Sequence, residues 1–280
     1  MNALELKHVS KKFHGFHLDD LNLTLPGGCI MGLIGENGAG KSTTIKLILD
    51  LIHKDSGSIT ILGRENGEDI RLIKEDVGVV MDEVGLPDCL TAKQVGKVMR
   101  HTFRNWDDGE YERLLRKFAL PDDKAFKTFS RGMKMKLGIA IALSHRSKLL
   151  LLDEATGGLD PVVRDEVVEL LVDFTREGEH SILISSHIVS DLEKLCDYVA
   201  FLHKGKLLLC EEKDRLLDEY GILHCTAAQL QELDPNAVKH KKETPYGVEA
   251  MVKRAAVPRH LHVSPISIEE LFVFMVKGAA

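Results

Sequence analysis

Nine consecutive residues constrain this chain more than any others. Gly35-Glu36-Asn37-Gly38-Ala39-Gly40-Lys41-Ser42-Thr43 fits the pattern G-x-x-x-x-G-K-[ST]. The residues before it, Ile30-Met31-Gly32-Leu33-Ile34, are apolar and β-prone and read as a buried strand. The residues after it, from Thr43 to Ile52, read as a buried helix. Strand, glycine-rich loop and helix therefore stand in the order a phosphate-binding loop requires. Glycines let successive backbone N–H groups converge on phosphate oxygens. The helix N-terminus adds partial positive charge under the anion. Lys41 is a point cation able to reach the β- and γ-phosphates, and Ser42 offers a hydroxyl to Mg²⁺. The loop alone specifies a nucleoside triphosphate site. It does not choose between kinase, GTPase, helicase and transport motor.

Other residues narrow the choice. Leu149-Leu150-Leu151-Leu152-Asp153-Glu154 is an apolar strand ending in two acids. The C-terminal edge of a central strand is where α/β sheets collect ligands. Asp153 suits a water-mediated Mg²⁺ contact, and Glu154 suits a base or water-positioning group beside a γ-phosphate. Ser181–Ser186 is another buried strand, followed at once by His187. A histidine there either donates to a phosphate oxygen or is an ordinary satisfied loop residue. Ser130 N-caps a helix that continues through Met135, Leu137 and Ile139. Its Ser-Arg-Gly start is either a cap alone or an anion-binding helix end. Phe13, between two alternating strands over Ala3–Val9 and Leu18–Leu25, stacks on a base or closes a core.

With 280 residues, the chain is long enough for one large domain plus an appendage. The formal charge of −6 speaks against a nucleic-acid surface, and no nucleic-acid partner is expected. No apolar run reaches the ~18–20 residues of a membrane span, and no signal peptide is visible at Met1–Glu5. The five cysteines are scattered, as in a reduced cytosolic protein without structural zinc. Between about Gly85 and Ser147 the pattern turns helical, with Thr91 capping one helix and Glu110–Phe118 forming another. After about Glu211 short strands and a final helix over Ser267–Val276 suggest a small α+β unit.

Set in order, these motifs resemble the nucleotide-binding subunit of ABC transporters over about residues 1–210. Gly35–Thr43 resembles that family's Walker A, and Leu149–Glu154 its Walker B with the catalytic Glu. Gly158-Leu159-Asp160 resembles the D-loop, His187 the switch histidine, and Phe13 the adenine-stacking aromatic. Ser130-Arg131-Gly132-Met133 stands where the family has Leu-Ser-Gly-Gly-Gln. Two departures stand out. Arg131 and Met133 replace Gly and Gln in that signature, and Asp82 replaces the Q-loop glutamine. Asp82 still suits a place near Mg²⁺, a hard cation that favours carboxylate oxygen. The Ser-x-Gly-Met signature and the Ile268–Phe272 tail are most similar to bacterial ABC-2-type exporter ATPases.

The resemblance implies an α/β fold: a RecA-like P-loop core with an antiparallel β subdomain, a helical insert subdomain at about 85–147 and a small C-terminal α+β appendage at 211–280. It implies ATP and Mg²⁺, with Glu154, His187 and Lys41 catalytic. The nucleotide would be held by Phe13, Gly35, Glu36, Asn37, Gly38, Ala39, Gly40, Lys41, Ser42, Thr43, Ser130, Gly132, Met133 and Asp160, with the Ser130 helix coming from a second cassette. Metal contacts would come from Ser42, Asp153 and Asp82. It further implies a homodimer or heterodimer driving a separate membrane permease, docked near Asp82–Leu90, with this subunit cytoplasmic on the inner membrane face. Two alternatives differ in class: a soluble ABC ATPase acting on DNA or ribosomes, and a cassette that hydrolyses ATP weakly as a regulator. Neither the coiled-coil insert of the DNA-repair members nor the tandem cassettes of the ribosomal ones occurs here.

Overall fold

Alternation along four strands explains the architecture. The computed structural model describes residues 1–67, 70–245 and 247–278, so residues 246, 279 and 280 of the expected C-terminal unit lie outside the described residues. In chain order it begins with β1 (Asn2–Phe13), β2 (Phe16–Pro26), β3 (Ile30–Gly35), α1 (Lys41–Ile48), β4 (Ser56–Ile61), β5 (Arg64–Glu65), α2 (Ile70–Glu75) and β6 (Val77–Val80). Three helices follow: α3 (Ala92–Thr102), α4 (Asp108–Lys117) and α5 (Arg131–Ser144). Then come β7 (Leu149–Asp153), α6 (Pro161–Thr175), β8 (Ser181–Ser186), α7 (Val189–Leu195), β9 (Tyr198–His203) and β10 (Lys206–Glu212). The last part holds α8 (Lys213–Glu219), β11 (Tyr220–Cys225), α9 (Ala227–Gln231), β12 (Val238–Thr244), β13 (Gly247–Lys253), β14 (Val263–Ser264) and α10 (Ile268–Gly278).

The central sheet has the order β10-β9-β3-β8-β7-β6, parallel from β9 to β6 with β10 antiparallel at one edge. Both faces of a parallel sheet are covered, so its strands read as continuous apolar runs. Successive side chains nevertheless point to opposite faces. Ile30, Ile34, Leu150, Leu152, Ile182, Ile184, Val199 and Phe201 pack into one apolar cluster with α5, α6 and α7. Met31, Leu33, Leu149, Leu151, Leu183, Ala200 and Leu202 pack into another with α1, β1, β2 and β4. The second side is walled by the antiparallel sheet β2-β1-β4-β5.

The C-terminal part builds a third antiparallel sheet, β12-β13-β11-β14, with its own cluster around Leu223, Val248 and Val252. It also joins the first cluster: Ile222, Met251, Ile268, Leu271 and Phe274 are buried there, and Phe272 meets Phe201 edge-on at 5.3 Å.

Element boundaries differ from expectation at several points. The helix after the phosphate loop stops at Ile48 rather than Ile52. Asp50 takes a left-handed φ of 52°, which breaks the helix, and Leu51 is left exposed. The first two strands run on to a tight hairpin at His14-Gly15, so Phe13 ends a strand rather than lying in a loop. β4 opens on Ser56-Gly57-Ser58, ahead of its apolar residues Ile59 and Ile61.

Candidate active site

The ends of four parallel strands build the site. β3 feeds the phosphate loop, Asp82 lies just beyond β6, Glu154 directly follows β7 and His187 directly follows β8. Glu36, Asn37, Gly38, Gly40, Lys41, Ser42 and Thr43 line a cavity of about 720 Å³ together with Gly15, Phe16, Asp82, Arg131, Glu154 and His187.

Backbone geometry shapes the loop. Gly40 has φ 115°, and a Cβ there would stand 2.9 Å from Phe16 Cζ. Gly38 has φ 80°, and no atom lies within 4 Å of where its Cβ would be, so the space beside it is open. Gly35 passes so close to β9 that a Cβ would lie 2.5 Å from the Leu202 carbonyl oxygen. Ala39 is buried, and its carbonyl accepts from Gly205 N–H at 3.0 Å.

Lys41 is buried, and its ammonium donates to the carbonyls of Gly35 (2.8 Å) and Glu36 (3.3 Å). It also lies 3.2 Å from Glu154 Oε1. The other oxygen of Glu154 accepts from His187 Nδ1 at 2.6 Å. Glu154 itself has φ 53°, a left-handed conformation uncommon outside glycine. Its N–H donates to both the carbonyl and the hydroxyl of Ser185, each at 3.1 Å. Burial pushes the Glu154 carboxyl up, but the His187 hydrogen bond and the Lys41 charge outweigh it and hold the group below its ordinary value. Asp153 is buried, and its Oδ1 accepts from Ser185 Oγ at 2.6 Å, so one serine orients both acids of the strand end.

The donor set suits a magnesium that arrives with phosphates. A hydroxyl from Ser42 and carboxylates from Asp153 and Asp82 would offer it hard oxygen atoms. Among the described residues no cluster of three or more His, Cys, Asp or Glu side chains could hold a metal by itself. Magnesium normally keeps several waters and takes one or two carboxylates beside substrate phosphates.

A family model described as ABC transporter matches residues 18–157. The chain belongs to the ABC transporter family. Relatives agree. The lantibiotic transport ATP-binding protein SrtF of Streptococcus pyogenes is 42% identical over 200 residues, covering 70% of this chain and 85% of SrtF. The ABC transporter ATP-binding protein YtrB of Bacillus subtilis is 34% identical over 218 residues, covering 78% of this chain and 74% of YtrB. A solved ATP-binding subunit of an ABC transporter is 30% identical with a TM-score of 0.70, covering 76% of this chain and 91% of that one. A dimeric ATP-binding cassette in a post-hydrolysis state with ADP and Pi, 21% identical with a TM-score of 0.67, shares the fold over 75% of this chain and 98% of its own.

As an ABC ATPase, this chain has the RecA-like core with its attached β and helical parts. The expected residues divide by their relation to the cavity, and Gly35 and Ala39 belong to the loop without lining it. Glu36, Asn37, Gly38, Gly40, Lys41, Ser42, Thr43, Asp82, Glu154 and His187 share the cavity, with Asp153 buried beside Glu154. Ser130, Gly132, Met133 and Asp160 do not line it. Ser130 Oγ caps α5 by accepting from Met133 N–H at 3.2 Å, and Asp160 Oδ1 caps α6 by accepting from Val163 N–H at 3.0 Å. A Cβ on Gly132 would lie 3.5 Å from Leu159 Cδ2, so these two helix starts form a patch of their own. Phe13 is exposed at the strand end with its ring centre 6.3 Å from that of Phe16, and Phe16 is the aromatic that lines the cavity.

Sequence reasoning missed two supports. His203, buried at the end of β9, holds Glu36 Oε2 at 3.1 Å across 167 residues of chain. Ser185 holds Asp153 across 32 residues. Neither follows from a local spacing; the one available signal was that both stand at or near the C-terminal ends of strands flanking β3.

Proposed function

We propose that this chain is the ATP-driven motor subunit of an exporter, closing on a second cassette around ATP and driving a separate membrane permease. The observation that carries this reading is the division of the site. One face of the chain holds Lys41, Glu154 and His187 around the phosphate-loop cavity. Of the helix start that resembles the family signature, Arg131 reaches the edge of that cavity, whereas Ser130, Gly132 and Met133 lie outside it, on a patch with the loop before Asp160. A second copy or a related cassette would supply that patch to the first one's nucleotide.

In this reading the loop N–H groups and Lys41 bind the β- and γ-phosphates, and Lys41 exchanges its contacts to Gly35 and Glu36 for phosphate oxygens. Ser42, with Asp153 and Asp82 nearby, would hold a magnesium ion, which would supply charge neutralisation on those oxygens. Glu154, kept ionised, accepts a proton from water, while His187 orients it and can donate to the γ-phosphate. Ser130 and Gly132 of the partner cassette offer free helix N–H groups to the same phosphate. Hydrolysis removes the charge that bridges the two copies, and the dimer opens.

Among the described residues no helix is long and apolar enough to cross a membrane. We therefore assign the crossing to a permease and place this subunit on the cytoplasmic face through it. The groove of about 460 Å³ lined by Asp82, Val84, Leu86, Asp88, Phe126 and Phe129 is the proposed docking place. SrtF and the bacitracin transport protein BcrA of Bacillus licheniformis, 38% identical over 193 residues, favour an export system. Residues 1–210 are taken as the ATPase domain, with 85–147 as its helical subdomain and 211–280 as an accessory unit.

Glu154→Gln tests the closed pair. It removes the charged acceptor but leaves the loop, so ATP binds without being split. Light scattering at saturating ATP and Mg²⁺ should show twice the monomer mass; a persistent monomer, both alone and with its co-purifying cassette, would overturn the proposal.

A further inference from the structure

Two of the three residues that depart from the resembled motifs, Arg131 and Asp82, are in contact with each other. Arg131 Nη2 lies 2.6 Å from Asp82 Oδ1, across 49 residues of chain. Both side chains are about half exposed and both line the phosphate-loop cavity. Among the described residues Asp82 has no other hydrogen bond or ion pair. Arg131 also leans over the loop after β7: a Cβ on Gly158 would stand 3.1 Å from its Nη1.

Charge explains why each needs the other. A carboxylate facing a phosphate site repels the ligand unless a cation offsets it. A guanidinium in the first turn of a helix opposes the positive end of the helix dipole, so Arg131 gains nothing from α5 itself. Paired, each cancels the other's cost. An exposed pair is weak and exchanges readily. Hard divalent cations, in contrast, prefer carboxylate oxygen to most other protein donors.

The geometry points to Arg131 as the positioning residue for Asp82: it shields the carboxylate while the loop is free of metal, and it competes with a nucleotide-borne divalent cation for the same oxygen. Metal binding then releases Arg131 from the cavity edge, so the helical part senses the metal through one ion pair. This rests on reading the loop as a magnesium–nucleotide site.

The test is binding of a fluorescent ADP, which lacks the γ-phosphate that would draw in a second cassette. Affinity is measured in excess Mg²⁺ and in EDTA, and the ratio of the two reports metal dependence. Arg131→Ala should weaken ADP binding in EDTA, where Asp82 is uncovered, and leave it equal or tighter in Mg²⁺. The ratio should grow about two- to five-fold, the range open to an exposed ion pair. Arg131→Lys, which keeps the charge, should hold the ratio near that of the parent. In an Asp82→Asn background, Arg131→Ala should leave the ratio unchanged. A flat ratio in Arg131→Ala, or an equal rise in both backgrounds, overturns the inference. Lys41→Ala separates the two levels. If the parent binds ADP through Lys41 while the Arg131 ratios stay flat, only the competition falls. If the parent does not bind ADP, the nucleotide-site reading falls with it.

Discussion

Gly40 shows how little freedom single residues have at this site. It combines a left-handed φ of 115° with a 2.9 Å approach to Phe16. Gly40→Ala meets both the backbone strain, of order 1–3 kcal/mol, and the aromatic wall. It should abolish nucleotide binding measured by fluorescence while leaving the far-UV circular dichroism intact, because the strain falls on the loop and not on a strand. Glu154 is constrained in a different way. Its own backbone is left-handed, and Ser185, Lys41 and His187 fix its two ends. That Lys41, Glu154 and their neighbours gather at the strand ends was legible because a local pattern encodes their positions. The contacts Glu36–His203 and Asp82–Arg131 were not, because each joins residues from distant segments and no spacing rule connects them.

At the scale of elements, starts were more legible than ends. Thr91 was read as a cap, and it makes the full reciprocal pair: its hydroxyl accepts from Gln94 N–H at 3.2 Å, and the Gln94 side chain accepts from Thr91 N–H at 2.9 Å. Thr91→Ala should lower stability by about 0.5–2 kcal/mol, read as a shifted urea midpoint with unchanged slope. The buried strands β3, β7 and β8 stood out as apolar runs because both their faces are covered. α1 was read four residues too long because its apolar residues continue past the point where Asp50 breaks the backbone. β12, Val-Lys-His-Lys-Lys-Glu-Thr, was missed altogether. A polar edge strand lacks the apolar alternation that marks a half-buried one, and charge on an edge is how sheets avoid pairing with other chains.

Over the whole molecule, acid sensitivity should come in part from a buried histidine far from the loop. His145 stacks on Phe103 at 4.1 Å, and its Nδ1–H donates to the Glu75 carbonyl at 3.1 Å. Burial pushes its pKa below the ordinary 6.5, overriding the helpful hydrogen bond. The unfolded chain therefore binds a proton that the fold resists. Stability is unaffected above about pH 6.5 and falls as the pH drops below it, levelling off under the lowered folded value. His145→Phe should flatten the fall of melting temperature with pH just below 6.5, measured by scanning calorimetry.

The five parallel strands of the central sheet also divide their side chains between two apolar interiors, one residue to each side in turn. That sheet is a partition common to both compartments, so neither can be emptied without stripping cover from the other. Disorder started at the C-terminal helix, through Leu271 and Phe274, would therefore travel through the partition to the nucleotide loop, and the molecule stands or collapses as a unit.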